Sequence, residues 1–236
     1  MKTALYPRLA WDGLRKNKRL FTPYLLTCIC MVMMFYILSF LGSPETCALL
    51  PRGSNSTGLI LNLGSFVIFA FSAIFLYYTN SFLVRRRERE FGLYNVLGMN
   101  KRNLARIVTW ESLITAVLSL VLGLALGIVL SKLAELGLVK MLGGDINYRI
   151  RIDVDSLTRA LGLYAIIFAV IWLSTVVRVG RSSAVALLRS ESVGEKPPKA
   201  NWLLGLAGVV ILAAAYYLAV SITNPLDAIV WFFVAV

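Results

Sequence analysis

The stretch FLVRRREREFGLYNVLGMNKRNLARIVTWE, residues 82–111, decides how the rest of the chain is read. It lies between two long apolar segments and carries seven basic residues: Arg85, Arg86, Arg87, Arg89, Lys101, Arg102 and Arg106. Within that charge sits an apolar island of Phe91, Leu93, Tyr94, Val96, Leu97 and Met99. A loop that only had to stay hydrated would not hold such an island. An exposed apolar cluster rimmed by charge marks a docking surface. The stretch therefore reads as the place where a soluble partner grips a membrane protein. The competing reading lays Phe91, Tyr94 and Leu97 down on the membrane interface.

Composition supports a membrane setting. The 236 residues are 58% apolar and 15% charged, against about 45–50% and about 25% in soluble domains. The formal charge of +12 comes from 24 basic and 12 acidic residues. In a membrane protein such an excess belongs on the cytoplasmic side. No zinc, stacking or recognition-helix pattern accompanies it, which argues against nucleic acid. The absence of His removes the commonest metal ligand and general base, and no metal site is expected. Cys28 and Cys30 lie two apart in an apolar segment and point to different helix faces. With Cys47 they read as small buried side chains. The sequon Asn55-Ser56-Thr57 matters only in a eukaryotic secretory protein and reads as chance.

Outward from residues 82–111, the chain reads as an all-α, polytopic helical bundle. Residues 1–19 mix six basic groups with Leu5, Leu9, Trp11 and Leu14, the pattern of an amphipathic interfacial helix; a plain charged anchor is the simpler alternative. Spans are expected at 20–41, 59–84, 104–130 and 157–177, each long enough for the hydrocarbon core. The second should run past the membrane into 85–96 as one helix, with Pro23 of the first tolerated in an opening turn. Gly98 and Asn100 supply a stop and a restart. Ser119, Gly123, Gly127 and Ser131 recur every four residues and form a stripe for close helix packing. Residues 132–155 are expected outside, with a short amphipathic strand at 146–154. Residues 182–190 could form a short helix capped by Ser182 or Ser183. Residues 191–201 are a cytoplasmic linker, and a fifth span occupies 202–222. Residues 228–236 begin a sixth span but are too few to cross, so the expectation is a piece of a longer chain.

Charge orients this bundle. Six basic residues fall in 2–19, seven in 85–106 and five in 178–199, against six in the intervening outer segments. That bias places the amino terminus inside.

The pattern RRREREFGLYNVLGMNKRNLARIVTWESL resembles the signature of FtsX-like permeases, membrane subunits of type VII ABC transporters. The matching positions are Arg87, Glu90, Gly92, Leu97, Gly98 and Glu111. The opening LAWDGLRKNKRLFTPYLLT resembles the start of the bacitracin-export type. The resemblance covers most of 8–190 and is most specific in 82–131. The short segment 42–58 departs from the four-span plan and suits the amino-terminal half of the ten-span plan, which would put a sensing domain beyond Val236. The resemblance implies a bacterial cell membrane, a separate cytoplasmic ABC ATPase, a dimer, as partner, and a role in antimicrobial-peptide resistance.

No Gly-x-x-x-x-Gly-Lys-Ser/Thr motif is present, so ATP is expected on that partner and no cofactor on this chain. Glu90, Phe91, Gly92, Leu93, Tyr94, Leu97, Gly98 and Met99 are the expected coupling surface, with 91–99 as a coupling helix. Glu111 lies at membrane depth. It is either a functional group or half of a structural pair with Arg106 or an arginine of 85–89. The alternative function is a non-transporting signalling scaffold, acting on an extracytoplasmic enzyme or a sensor kinase and using the 146–154 strand for strand addition. An enzyme or ion channel fits poorly, since no catalytic constellation or ring of intramembrane charge is visible.

Overall fold

The computed structural model describes residues 5–48, 54–96, 98–143, 151–181 and 202–221. They form α1 (Leu5–Lys16), α2 (Lys18–Leu41), the single turn α3 (Pro44–Cys47), α4 (Ser54–Val96), α5 (Lys101–Leu142), α6 (Val154–Arg181) and α7 (Trp202–Ser221). Among the described residues there is no strand, and four helices are long and apolar enough to cross a bilayer: Lys18–Leu41, Ser56–Glu88, Lys101–Leu142 and Val154–Gly180. The chain divides into two compact units, 1–193 and 194–236. Within the second, residues 202–221 of the expected fifth span are helical as α7, which is not one of those four helices.

The expected second span and residues 85–96 form one continuous helix, the 43 residues of α4. It holds no Pro, and Gly58, Gly64 and Gly92 within it stay helical; φ turns positive only beyond it, at Gly98 (+89°). Three expectations change. Helix α5 does not end near 130 but continues to Leu142, where Gly143 takes φ +71° and its N–H returns to the Val139 carbonyl. The polar residues taken as an exit are accommodated on that helix, with Lys132 Nζ 3.0 Å from Glu135 Oε2. Pro23 lies beyond the first turn, because α2 already begins at Lys18. The expected strand falls mostly on residues outside those described; of its described part, 151–153 have no regular structure and Val154 opens α6. The linker, the short helix at 182–190 and the start of a sixth span also lie outside the described residues.

Helix α2 is the centre of the first unit. It packs against α4, α5 and α6, whereas α4 and α5, although consecutive, touch little beyond their shared turn. Its buried face carries Val32, Phe35, Tyr36 and Phe40. Phe35 meets Tyr164 of α6 edge to face at 5.7 Å. The Tyr164 hydroxyl donates to the Met31 carbonyl at 2.8 Å and lies 2.9 Å from Ser72 Oγ of α4. Deeper along α4, Asn80 Nδ2 donates to Thr175 Oγ1 of α6 at 2.8 Å. With no water to satisfy them, buried polar groups in a bilayer must pair across helices. Cys28 and Cys47 are buried and Cys30 is exposed, all as free thiols.

Candidate functional site

One end of the bundle gathers α1, the start of α2, the end of α4, the start of α5 and the end of α6. There the Arg87 side chain is almost wholly buried. Its Nη1 donates to Glu111 Oε2 at 2.6 Å and Nη2 to Glu111 Oε1 at 2.9 Å. This fork-to-fork match is the geometry that a planar guanidinium gives and an ammonium does not. Arg87 Nε donates to Glu90 Oε2 at 3.2 Å. The guanidinium carbon lies 5.1 Å from the ring centres of both Phe21 and Phe91, within cation–π range. Glu111 therefore pairs with Arg87 from the 85–89 run. Arg106, the other candidate, lies 5.7 Å over the Tyr6 ring.

Helix α1 closes this knot. Asn17 Nδ2 donates to Glu90 at 2.9 Å and 3.1 Å. A Cβ added to Gly13 would come within 2.7 Å of Glu111 Oε1. Only a residue without a side chain lets α1 approach so closely. Tyr6 adds a hydrogen bond to Asn103 Oδ1 at 3.1 Å. Gly13, Asn17 and Phe21, spaced four apart, form a face directed at Glu111, Glu90 and Arg87 respectively, which the sequence reading does not single out. The visible signal was an intramembrane glutamate that needed covering.

The apolar island is split by its helix. Phe91 is 2% exposed and packs with Val84, Leu104, Val108 and Val179, and Gly92 is also buried. The expectation of Phe91 as an outward anchor is thus corrected: it shares the Val84 and Arg87 face, at spacings of three and four. Leu93, Tyr94 and Val96 are exposed. Glu90 is half-exposed and Met99 half-buried, its N–H reaching the Tyr94 carbonyl at 2.9 Å. Leu97 lies outside the described residues. Gly98 has open space around its Cβ position, so its left-handed φ alone calls for glycine. Residues 91–96 are the end of α4 itself, not a separate helix. Asn100 caps α5 by backbone conformation, without a side-chain bond. Arg178 of α6 reaches Glu88 at 3.2 Å, and Lys101 Nζ reaches the Gly180 carbonyl at 3.3 Å.

The stripe on α5 is buried throughout, at Ser119, Gly123, Gly127 and Ser131. A Cβ on Gly123 would meet Val32 Cβ at 2.8 Å and the Ile29 carbonyl at 3.0 Å; one on Gly127 would meet Tyr36 at 3.0 Å. The same every-fourth row continues through Glu111 and Thr115 at one end and Glu135 and Val139 at the other, all buried. The knot and the seam are therefore one continuous row on α5. Among the described residues, no group of His, Cys, Asp or Glu could hold a metal ion.

Known proteins share this sequence plan. Residues 62–184 match the family described as FtsX-like permease C-terminal. The chain is 24% identical to the bacitracin export permease protein BceB of Bacillus subtilis (strain 168) over 216 residues, 90% of this chain and 33% of that protein. It is 25% identical to the ABC transporter permease protein YxdM of the same organism, over 89% of this chain and 33% of the relative. It is 22% identical to the uncharacterized ABC transporter permease YvcS, also of that organism, over 93% and 34%. The chain spans about a third of the length of these curated relatives. With its membrane-length helices and a family match over residues 62–184, the chain belongs to the FtsX-like permease family and is a multi-pass membrane protein.

Proposed function

We propose that the basic end of this bundle docks a cytoplasmic ABC ATPase dimer and carries the work of ATP hydrolysis into the membrane. The observation that carries the reading is the exposed apolar trio Leu93, Tyr94 and Val96 at the tip of α4. Arg86 on the same helix, and Lys101 and Arg102 just past the turn, are exposed as well. Apolar anchors supply affinity and surrounding charge sets orientation. In this reading the amino terminus is cytoplasmic, ATP sits on the partner and the chain performs no chemistry itself. It takes part in exporting or extracting antimicrobial peptides, as the name of one relative, a bacitracin export permease, suggests.

Replacing Leu93 and Tyr94 with Asp tests the docking step. Both side chains face outward, so the variant should fold and insert normally. Co-purification of a P-loop ATPase from the native host should fall at least tenfold. Retention of the ATPase at the wild-type level would sink the proposal.

A further inference from the structure

A groove of about 220 Å³ lies where α1 turns into α2 and faces α5. Its walls are apolar, from Trp11 and Leu14 of α1, Phe21 and Leu25 of α2 and Leu118 of α5. Arg15 and Lys18 also line it, on either side of the break at Asn17. Both are exposed, and among the described residues neither takes part in a salt bridge. Pockets that enclose a drug-sized ligand measure about 300–1,000 Å³. This one is smaller and suits a segment of a longer molecule. From Lys18 to Leu25 the helix descends about 10 Å at 1.5 Å per residue. The site is therefore cationic at the interface and apolar below it.

We propose that the groove holds an anionic phospholipid of the surrounding bilayer. Its phosphate lies at Arg15 and Lys18, and one acyl chain runs along Phe21, Leu25 and Leu118. Charge decides this occupant. An apolar helix would leave two cations without a counter-charge, and a zwitterionic headgroup brings its own ammonium to them. An anionic headgroup satisfies both, and the chain enters in the orientation it already has in that leaflet. The Gly13 seat on Glu111 holds α1 at a fixed height, so the rim and the wall stay in register. This inference is independent of the ATPase reading, because it needs no partner protein.

Trp11 is 53% exposed and lines the groove, so it serves as the reporter. The chain is reconstituted in phosphatidylcholine bilayers. Its tryptophan fluorescence is titrated with brominated phosphatidylglycerol or, separately, brominated phosphatidylcholine. The difference between wild type and Trp11→Phe isolates the reporter among the five tryptophans. Attraction of the size that a juxtamembrane basic residue provides corresponds to about fivefold per residue. Half-maximal quenching should therefore come at a mole fraction at least about fivefold lower for phosphatidylglycerol. Arg15→Gln with Lys18→Gln should abolish the preference. Arg8→Gln with Arg19→Gln removes the same charge away from the groove and should keep it. Equal quenching by both lipids in the wild type would overturn the proposal. So would equal loss in both charge variants, which would leave general surface attraction only. Failure of either lipid to quench Trp11 would mean that protein fills the groove.

Discussion

The knot at Arg87–Glu111 and the seam at Gly123–Gly127 hold the same helix by opposite means. At the knot, α5 is fixed by two opposite charges and by two hydrogen bonds from Arg87 to Glu111, the guanidinium itself held by Glu90 and two flanking rings. At the seam it is fixed by missing side chains, so that α2 can approach to van der Waals contact. A charged joint is expensive to break and directional. A packed joint resists approach but offers no directional bond. One helix therefore has a joint of defined angle at the basic end and a smooth bearing surface along its middle.

Substitutions should separate the two. Glu111→Ala leaves the buried Arg87 guanidinium with the half-exposed Glu90 as its remaining carboxylate partner and strips its fork of both bonds, which costs up to about 3–5 kcal/mol. Thermal unfolding in detergent should show that loss, and Arg87→Met with Glu111→Leu should recover most of it. If the double variant is as unstable as the single one, the two charges are not acting as a pair. Gly123→Ala forces α2 away from the seam and should cost about 1–3 kcal/mol. Gly137→Ala, with nothing near its Cβ position, should instead be neutral or stabilising by up to about 1 kcal/mol. Equal effects at both glycines would remove the seam from the account. Asn80→Leu breaks the bond to Thr175 and should cost about 0.6 kcal/mol, the average for polar pairs in membranes. At the small end, Leu93→Asp should alter stability by less than about 0.5 kcal/mol, as exposed substitutions do. Its effect is expected in ATPase recovery alone.

Much of this architecture can be read directly from residue spacing. The continuity of α4 is legible because no Pro or Gly interrupts it between Gly64 and Gly92 and a left-handed Gly98 ends it. The seam is legible because small residues recur every four positions. The interior of the apolar island is less so. Phe91 and Leu93 are equally apolar and two apart, and nothing local says which side α5 and α6 will cover. That choice belongs to Arg87, whose buried partner lies 24 residues along the chain. The far end of α5 is obscured for a related reason. Lys132 and Glu135 look like an exit from the membrane one by one, yet pair with each other on a continuing helix. Gly13 carries no chemical signal of its own. Its role exists only once Glu111 is placed beneath it.

The hairpin of α4 and α5 has a geometry like a pair of compasses, its legs joined at Gly98 and clasped just above by Arg87 and Glu111, with α2 standing between them. From Arg87 to Ser54 the leg is 33 residues, about 50 Å at 1.5 Å per residue. A tilt of about 5° at the clasp would sweep the distant tip through about 4 Å, more than the width of a methyl group. A small displacement at the pivot would thus reach the far end of α4 enlarged, while the glycine track would let α5 turn against α2 without breaking a directional bond.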